Sequence, residues 1–502
     1  MLGTLYKKIL VIGGNASGLA AASQARRENP DAQITVLESG NYISYGACGL
    51  PYIISGQIKD INSIFTYPPS FFEEKRNIRI LTGHRVTAID PFAKKITVQL
   101  QANQQVSSAF INGSALAAGA GKANSETVLL DYDRLIICSG AKPVFLDVPG
   151  VNAPNVFYFR DINDTLSLQN FIDEKKPANA CIIGGGSSGL LVAEALAKTG
   201  IKTTIIECNH KILNDYEKDV TDFFLKNITG YENKTSPDIT SLSGIKIMTG
   251  VKAVSFNASH TTGSIYSVIV ASCNDTASDK YEIDAGMAII SAGITANTGF
   301  LGSGRIDTGE KNAIKVSGMQ QSSINSIYAA GDCCLVKNII TGSFEYIPTA
   351  TNAIKSGRVA GANAAGGHEV FEGSVDTKTD RIFGMEIART GLDSKKALEY
   401  RFNAVRITDT YPSYIRALPG SASIFCSLVI DKSTRKILGA QLVGSEGVSK
   451  RIDVFAAAIS GGFTVDRTYM LDTSYSPWTS TAPDAVNRIC GKAISILKSL
   501  KQ

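Results

Sequence analysis

The residue best suited to redox chemistry lies in a short segment near the N-terminus. Cys48 is part of Ser44-Tyr-Gly-Ala-Cys-Gly-Leu-Pro-Tyr52, and no second cysteine occurs within four positions of it. A cysteine is a nucleophile only as the thiolate, and a helix start beside the thiol can lower its pKa enough to form one. The spacing excludes a disulfide with a close neighbour in the sequence.

The remaining cysteines carry no recognisable metal or disulfide motif. There are nine cysteines in all, thinly spread and without a C-x-x-C pair. The odd count excludes a disulfide scaffold and a cysteine-rich zinc site, and it predicts unpaired thiols in a reducing compartment, the cytoplasm. Cys138, Cys181 and Cys426 occur in apolar stretches and are predicted to be core residues. No metal site is predicted.

Glycine-rich turns provide a second kind of chemistry, the binding of phosphate groups. The apolar run Ile9 to Ile12 predicts a buried strand, Gly13-Gly-Asn-Ala-Ser-Gly18 follows it, and residues 19–28 predict a helix. A second strand is predicted over residues 33–37, and Glu38 ends it 20 residues after the last glycine. Amides at such a helix start can hold a pyrophosphate, and the acid can accept hydrogen bonds from ribose hydroxyls.

The same pattern recurs in the middle of the chain. Residues 180–183 predict a strand, Gly184-Gly-Gly-Ser-Ser-Gly189 is a complete G-x-G-x-x-G, and residues 190–198 predict a helix. A strand over residues 202–206 is followed by Glu207, 18 residues after the last glycine. Two dinucleotide folds in one chain predict two dinucleotides that exchange electrons, typically a flavin and a nicotinamide.

The composition places these units in a large globular chain. Its 502 residues are 44% hydrophobic and 19% charged, which argues against wholesale disorder and corresponds to about three domains. A net charge of +5 without a dense basic run excludes a nucleic-acid partner, and no apolar run is long enough for a membrane. Residues 102–126 and 229–243 lack apolar periodicity and predict surface loops or hairpin extensions.

The segment around Cys48, Asn41 to Tyr52, resembles the single-cysteine branch of the flavin-dependent pyridine nucleotide-disulfide oxidoreductases, and most of all the coenzyme A-disulfide reductases. The resemblance extends along nearly the whole chain, through motifs at residues 135–143, 288–297, 327–333, 348–361, 449–454 and 475–477. It implies an α/β chain with two Rossmann-like dinucleotide-binding domains, as in glutathione reductase, and a C-terminal α+β dimerisation domain.

The resemblance also implies domain limits and cofactor residues. The FAD-binding domain would occupy residues 1–155 and 284–371, the NAD(P)H-binding domain 156–283, and the dimerisation domain 372–502. The residues implied for FAD are Gly13, Gly14, Ala16, Ser17, Gly18, Glu38, Ser39, Val86, Ser139, Gly140, Arg160, Asp332, Thr349 and Ala350. The residues implied for NADH or NADPH are Gly184, Gly186, Ser187, Ser188, Gly189, Glu207 and Gly293.

By the same resemblance, Cys48 alternates between a thiolate and a mixed disulfide or sulfenic acid while the enzyme reduces a small-molecule disulfide such as coenzyme A disulfide. No histidine occurs in the predicted dimerisation domain, so a tyrosine from the partner subunit of a homodimer would be the proton donor. Tyr475 matches one family tyrosine. The family's second tyrosine is missing from residues 417–420 of this chain, and Tyr414 or Tyr411 is the candidate to replace it. The coenzyme A contacts implied are Ser44, Asn352 and Lys450.

The nicotinamide half departs from the family pattern. Ser187 stands where the family has an aromatic gate over the flavin, and Leu191 stands where it has an acid near the nicotinamide. Glu207 would repel a 2′-phosphate, which favours NADH over NADPH. Three alternatives stay open: a persulfide or polysulfide reductase, an NADH oxidase, which Ala16 in place of a family histidine disfavours, and a flavin-bearing interaction protein with little turnover.

Overall fold

The computed structural model describes residues 7–101, 127–228, 231–233, 239–242, 244–274, 280–302 and 305–499. The predicted insertion at 102–126 lies outside the described residues, and so does part of the one at 229–243. Within these ranges no helix is long and apolar enough to cross a membrane. The same residues contain no cluster of histidine, cysteine and acidic side chains that could hold a metal ion.

The first part of the chain builds the core of a parallel sheet. In chain order its elements are β1 (Lys8–Ile12), α1 (Ala16–Glu28), β2 (Gln33–Leu37), α2 (Leu50–Ile54), α3 (Pro69–Arg76), β3 (Ile78–Leu81), β4 (His84–Asp90), β5 (Lys95–Leu100), β6 (Thr127–Asp131), β7 (Arg134–Ile137) and β8 (Ala141–Pro143). Strands β7, β1, β2 and β3 are neighbours and run parallel. Strands β4, β5 and β6 form a separate antiparallel sheet.

The middle of the chain builds a second nucleotide-type sheet. Its elements are β9 (Val156–Tyr158), α4 (Ile162–Lys175), β10 (Asn179–Ile183), α5 (Ser187–Lys198), β11 (Lys202–Glu207), α6 (Lys218–Asn227), β12 (Tyr231–Asn233), β13 (Ile239–Leu242), β14 (Ile245–Thr249), β15 (Val251–Ala258), β16 (Ile265–Ser272), β17 (Tyr281–Asp284) and β18 (Ala288–Ile290). The sheet order is β12-β13-β14-β11-β10-β18-β9, and β15, β16 and β17 form an antiparallel sheet beside it.

Two details of this sheet refine the sequence analysis. The antiparallel strands β12 and β13 extend one edge of the sheet, which agrees with a hairpin extension in the second insertion. Strand β18 pairs with β10 in parallel, so the nucleotide sheet continues past residue 283, the limit proposed from the sequence.

The chain then returns to the first sheet. The elements of this passage are β19 (Ile294–Ala296), β20 (Ile327–Ala329), β21 (Val336–Lys337), β22 (Phe344–Glu345) and α7 (Ala350–Ala364). Strand β20 pairs with β7 and completes the order β20-β7-β1-β2-β3, so this sheet is built from two separate stretches of the chain. Helices α7 and α1 approach each other closely at Gly361. A Cβ atom on this residue would lie only 2.1 Å from the carbonyl oxygen of Ala21, so only glycine fits there.

The last part is the predicted α+β domain. Its elements are β23 (Lys378–Ile382), β24 (Met385–Gly391), α8 (Ser394–Glu399), β25 (Ala404–Pro412), β26 (Ser423–Asp431), β27 (Ile437–Gly444), α9 (Val448–Ser460), α10 (Val465–Tyr469) and α11 (Ala485–Ser499). The strands form one antiparallel sheet in the order β23-β24-β27-β26-β25. Apolar residues of α9 and α11 share a core with β25, β26 and β27.

Candidate functional site

The two glycine-rich turns have nearly the same geometry. In the first, the amide of Gly14 donates to Glu38 Oε2 at 2.8 Å, and in the second the amide of Gly185 donates to Glu207 Oε2 at 2.7 Å. Each turn leads into a helix whose first turn receives no side-chain cap. Uncapped amides at a helix start bind anions, so both turns have the geometry that a dinucleotide pyrophosphate requires.

Glycine is required at the first position of each turn. Gly13 has a φ of +107°, and a Cβ atom there would lie 2.2 Å from the carbonyl oxygen of Cys138. Gly184 has a φ of +116°, and its Cβ would lie 2.3 Å from the carbonyl oxygen of Ser291. The two turns therefore close against the neighbouring strand in the same way.

The parallel strands gather most of the predicted cofactor residues at one edge of each sheet. A dinucleotide binds across the carboxyl ends of such strands. The predicted FAD residues found directly after β1, β2, β7 and β20 are Gly13, Gly14, Glu38, Ser39, Ser139, Gly140 and Asp332, and the start of α7 adds Thr349 and Ala350. The predicted NAD(P)H residues at the ends of β10, β11 and β18 are Gly184, Gly186, Ser187, Glu207 and Gly293. Val86 lies within β4, and its side chain is buried.

A buried polar group near Asp332 fits the flavin. Asp332 Oδ2 lies 2.9 Å from Arg160 Nη2, although these residues belong to different passages of the chain. The hydroxyl of Tyr346 is buried nearby and has no hydrogen-bond partner among the described residues. Burial raises the pKa of Tyr346, and the charge of Asp332 raises it further. An unpaired hydroxyl beside an ion pair suits a polar ligand chain, so these residues fit the ribityl part of FAD.

Cys48 is the one exposed thiol of the protein. All nine cysteines lie within the described residues, and the six other free cysteines are buried. Burial raises the pKa of Cys181 to about 12 and that of Cys333 to about 11, so these thiols stay neutral. Cys48 lies in a short 3₁₀ turn, Ala47–Gly49, directly before α2. Its exposure distinguishes it from every other free cysteine.

One cysteine pair contradicts the sequence analysis. Cys208 and Cys273 form a disulfide, so the prediction of nine unpaired thiols is wrong. Cys208 directly follows Glu207, and Cys273 directly follows β16. The two residues are 65 positions apart, and only the packing of β15 and β16 beside β11 brings them together. The positions of the two cysteines in the sequence therefore do not predict that they are bonded.

The tyrosines proposed as proton donors differ in their surroundings. Tyr475 lies in the segment between α10 and α11 and is 54% exposed. Tyr414 is buried, and its hydroxyl donates to the carbonyl oxygen of Pro419 at 2.7 Å. The hydroxyl of Tyr411 donates to Asp409 Oδ2 at 3.1 Å. The hydroxyls of Tyr414 and Tyr411 are therefore bonded within their own domain, whereas Tyr475 lies at the surface.

The predicted substrate residues are dispersed over three elements. Ser44 is buried in the loop before Cys48, and its hydroxyl oxygen accepts a hydrogen bond from the amide of Tyr67 at 3.2 Å. Asn352 is buried in α7. Lys450 is exposed on α9 of the dimerisation domain. Their assignment to coenzyme A stays a prediction.

One residue beside the site is missed by the sequence analysis. Asp380 Oδ2 accepts a hydrogen bond of 2.7 Å from the hydroxyl of Ser187, the first residue of α5. The two residues are 193 positions apart. Asp380 belongs to no recognisable motif, so only the folded chain reveals this contact.

Comparisons with known proteins cover nearly the whole chain. Residues 7–357 match the pyridine nucleotide-disulphide oxidoreductase model, and residues 381–486 match the dimerisation domain of that family. The NAD(P)H coenzyme A polysulfide/persulfide reductase of Pyrococcus horikoshii is 29% identical over 477 residues, which are 94% of this chain and 95% of the relative. The coenzyme A disulfide reductase of Staphylococcus haemolyticus is 25% identical over 495 residues, 97% of this chain and 99% of the relative.

A solved structure agrees with these matches. The reduced CoADR-RHD protein of Bacillus anthracis has a TM-score of 0.85 and 27% identity to this chain. The match covers 98% of this chain and 81% of that one. The overall fold of this chain is therefore similar to that of the solved protein along almost its whole length.

Proposed function

Because the chain belongs to the pyridine nucleotide-disulphide oxidoreductases, enzymes that use FAD and NAD(P)H, we propose that it reduces a small thiol disulfide through Cys48. Coenzyme A disulfide is the first candidate substrate. The observation that carries the proposal is the single exposed thiol of Cys48, which has no cysteine within reach in its own segment. A disulfide partner for this thiol has to be supplied by the substrate.

The overall reaction balances as RSSR + NAD(P)H + H⁺ → 2 RSH + NAD(P)⁺. The Cys48 thiolate attacks one sulfur of the substrate, the substrate S–S bond breaks, and one thiolate leaves while Cys48 remains in a mixed disulfide. The residues of the first glycine-rich turn, with Asp332 and Arg160, would hold FAD, which would supply the two-electron link between NAD(P)H and this mixed disulfide. Reduction of the mixed disulfide releases the second thiol and restores the Cys48 thiolate. The protein must hold the substrate, exclude competing thiols and provide the protons.

Tyr475 is the residue proposed to provide a proton to the departing thiolate. A phenol donates a hydrogen bond without carrying a charge, so it suits a leaving sulfur anion. Tyr475 is exposed on the dimerisation domain, which leaves its side chain open to a partner subunit. The active site would then be shared across a homodimer interface.

A persulfide or polysulfide is the second candidate substrate. The name of the Pyrococcus horikoshii relative supports it. The reaction would be RSSH + NAD(P)H + H⁺ → RSH + H₂S + NAD(P)⁺, with the same attack by Cys48 on sulfur. The two candidates differ in the leaving group, so they can be separated by the product formed.

Anaerobic stopped-flow spectroscopy of the holoenzyme tests the proposal. NADH is expected to bleach the flavin absorbance, and coenzyme A disulfide is expected to restore it. Restoration only by polysulfide would favour the second candidate, and restoration only by oxygen would indicate an NADH oxidase. A flavin that neither NADH nor NADPH bleaches would contradict the proposed electron source.

The variant Cys48→Ser separates the enzyme from a flavin-bearing interaction protein. It is expected to keep its flavin and to be bleached by NADH, because the cysteine takes no part in either step. Turnover with the disulfide should fall roughly 1,000-fold or more, since the nucleophile is lost. Unchanged turnover in this variant would overturn the role of Cys48.

A further inference from the structure

The Cys208–Cys273 disulfide lies next to the acid that the second glycine-rich turn holds. Cys208 directly follows Glu207, whose Oε2 accepts a hydrogen bond from the amide of Gly185 at 2.7 Å. Glu207 is the last residue of β11 and is only 8% exposed, whereas Cys208 is exposed and Cys273 is partly exposed. The disulfide is therefore accessible to small molecules in solution, although it adjoins a buried acid.

Hydrogen bonds join the same two stretches of chain as the disulfide. The carbonyl oxygen of Gly250 accepts from the amide of Cys273 at 2.8 Å, and the amide of Gly250 donates to the carbonyl oxygen of Asn209 at 2.9 Å. Asn274 Nδ2 lies 3.1 Å from His210 Nε2. These contacts and the disulfide together form a clamp between the end of β11 and the end of β16.

The clamp is connected to the carboxylate of Glu207 through Asn209. Glu207 Oε1 accepts from the amide of Asn209 at 2.9 Å and from its Nδ2 at 2.6 Å. An acid at the end of the second strand of such a βαβ unit binds the hydroxyls of the adenosine ribose. The clamp therefore lies at the adenosine end of the predicted NAD(P)H site.

The covalent bond of the clamp restricts this segment more than its hydrogen bonds can. Asn209, His210 and Asn274 are exposed, so water competes for their hydrogen bonds, and each contributes little net stability. Without the disulfide, residues 208–210 gain conformational freedom that a bound dinucleotide has to remove again. Binding that must order a loose segment is weaker than binding to a segment already in place.

We propose that the Cys208–Cys273 disulfide is a reversible redox site for small-molecule thiols, and that its oxidised form binds NAD(P)H more tightly than its reduced form. The identity of the thiol rests on the proposed function, in which the enzyme consumes a disulfide RSSR and releases the thiol RSH. A high proportion of RSSR keeps the bond closed and the nucleotide site ordered. Accumulated RSH opens the bond, so the product weakens the binding of the electron donor.

The exchange consists of two thiolate attacks on sulfur. RS⁻ attacks the sulfur of the exposed Cys208, the bond between the two cysteines breaks, and Cys273 leaves as a thiolate that is then protonated. A second RS⁻ attacks the sulfur of R in the resulting mixed disulfide, RSSR forms, and Cys208 leaves and is protonated. The two thiols lose two protons and two electrons, and the protein disulfide gains both. The reverse reaction restores the bond.

The first experiment follows the redox state of the pair in FAD-loaded Cys48→Ser protein, because Cys48 is itself an exposed thiol that would react. The protein is equilibrated with mixtures of coenzyme A and coenzyme A disulfide, alkylated with iodoacetamide, and mapped by peptide mass spectrometry. Cys208 and Cys273 should become alkylated together as the proportion of coenzyme A rises, while the buried Cys181 stays unlabelled. A pair that stays bonded, or stays alkylated, at every ratio would overturn the inference.

The second experiment compares the oxidised and reduced forms of this protein by titration calorimetry with NAD⁺. Reduction should weaken binding about 3- to 10-fold, the loss expected when a few side chains must be immobilised on binding. Amide hydrogen exchange of residues 207–210 should become faster on reduction and slow again with NAD⁺. An unchanged flavin absorbance excludes unfolding as the cause. Equal affinity of the two forms for NAD⁺ would contradict the proposal.

The variants Cys208→Ser and Cys273→Ser, each made in the Cys48→Ser protein, are matched controls for one another. Both lose the bond, and each keeps the other cysteine. Both should therefore bind NAD⁺ with the weaker affinity of the reduced form and not respond to coenzyme A. Weaker binding in Cys208→Ser alone would indicate a contact of that side chain and reject the role of the bond. If a variant does not fold, the comparison of oxidised and reduced protein decides the matter.

Failure of the proposed function has a different signature, because neither experiment needs turnover. If no sulfur substrate reoxidises the reduced wild-type flavin, but the pair exchanges and the NAD⁺ affinity shifts, the proposed function is wrong and the redox site stands. If the wild-type enzyme reduces coenzyme A disulfide while the pair does not exchange, the inference fails alone.

Discussion

Two tyrosines of the dimerisation domain differ in how their hydroxyls are held. The Tyr414 hydroxyl is buried and donates to Pro419, whereas Tyr475 is exposed. A proton already donated to a backbone carbonyl is costly to withdraw, because the carbonyl would be left unpaired. The family motif matches Tyr475 and offers Tyr414 only as a replacement for a missing tyrosine, but it contains no information on the hydrogen bonds of either hydroxyl.

We therefore expect Tyr475→Phe and Tyr414→Phe to behave differently. Tyr475→Phe should slow disulfide turnover about 10- to 100-fold, as for loss of a proton donor, and leave flavin bleaching by NADH intact. Tyr414→Phe should lower the free energy of unfolding by about 1 kcal/mol, the value of one hydrogen bond, with a much smaller effect on turnover. Steady-state kinetics and denaturant unfolding measure the two effects. The reverse ranking of turnover would reinstate Tyr414.

The two glycine-rich βαβ units could be predicted from the sequence because each is built from neighbouring residues. Strand, turn and helix follow one another, so the predicted strand at residues 33–37 is confirmed in full and the helices differ mainly at their first turn. Contacts between elements that are distant in the sequence have no local pattern from which they could be predicted. Asp380 reaches Ser187 from another domain, and Cys208 meets Cys273 only where β15, which pairs with β16, packs against β11.

The disulfide between Cys208 and Cys273 is expected to stabilise the nucleotide-binding domain. It closes a loop of 65 residues, and a disulfide typically contributes about 2–4 kcal/mol of stability. Treatment with dithiothreitol should lower the melting temperature of the wild-type protein, followed by circular dichroism. The double variant Cys208→Ser with Cys273→Ser should melt at the lower temperature and not respond to the reagent. A wild-type protein insensitive to dithiothreitol, with nine titratable thiols, would contradict the bond.

The proposed site is formed by residues of all three domains. The flavin turn and Cys48 belong to the first domain, and the nucleotide turn belongs to the second. The third domain contributes Asp380, which accepts a hydrogen bond from Ser187. It also exposes Tyr475 and Trp478, and Trp478 is 57% exposed. Large exposed aromatic side chains are typical of a surface that another chain covers. The family match to a dimerisation domain indicates a homodimer.

A shared site makes a prediction that no single variant can test. If Cys48 of one subunit works with Tyr475 of its partner, then a dimer of one Cys48→Ser and one Tyr475→Phe subunit contains one site with both residues intact and one with neither. Random mixing of the two variants gives half mixed dimers, so about a quarter of the wild-type activity should return in a C2 dimer. Each variant is first unfolded and refolded alone with FAD as a control. If both residues of a site came from one subunit, the mixture would show only the mean of the two variant activities.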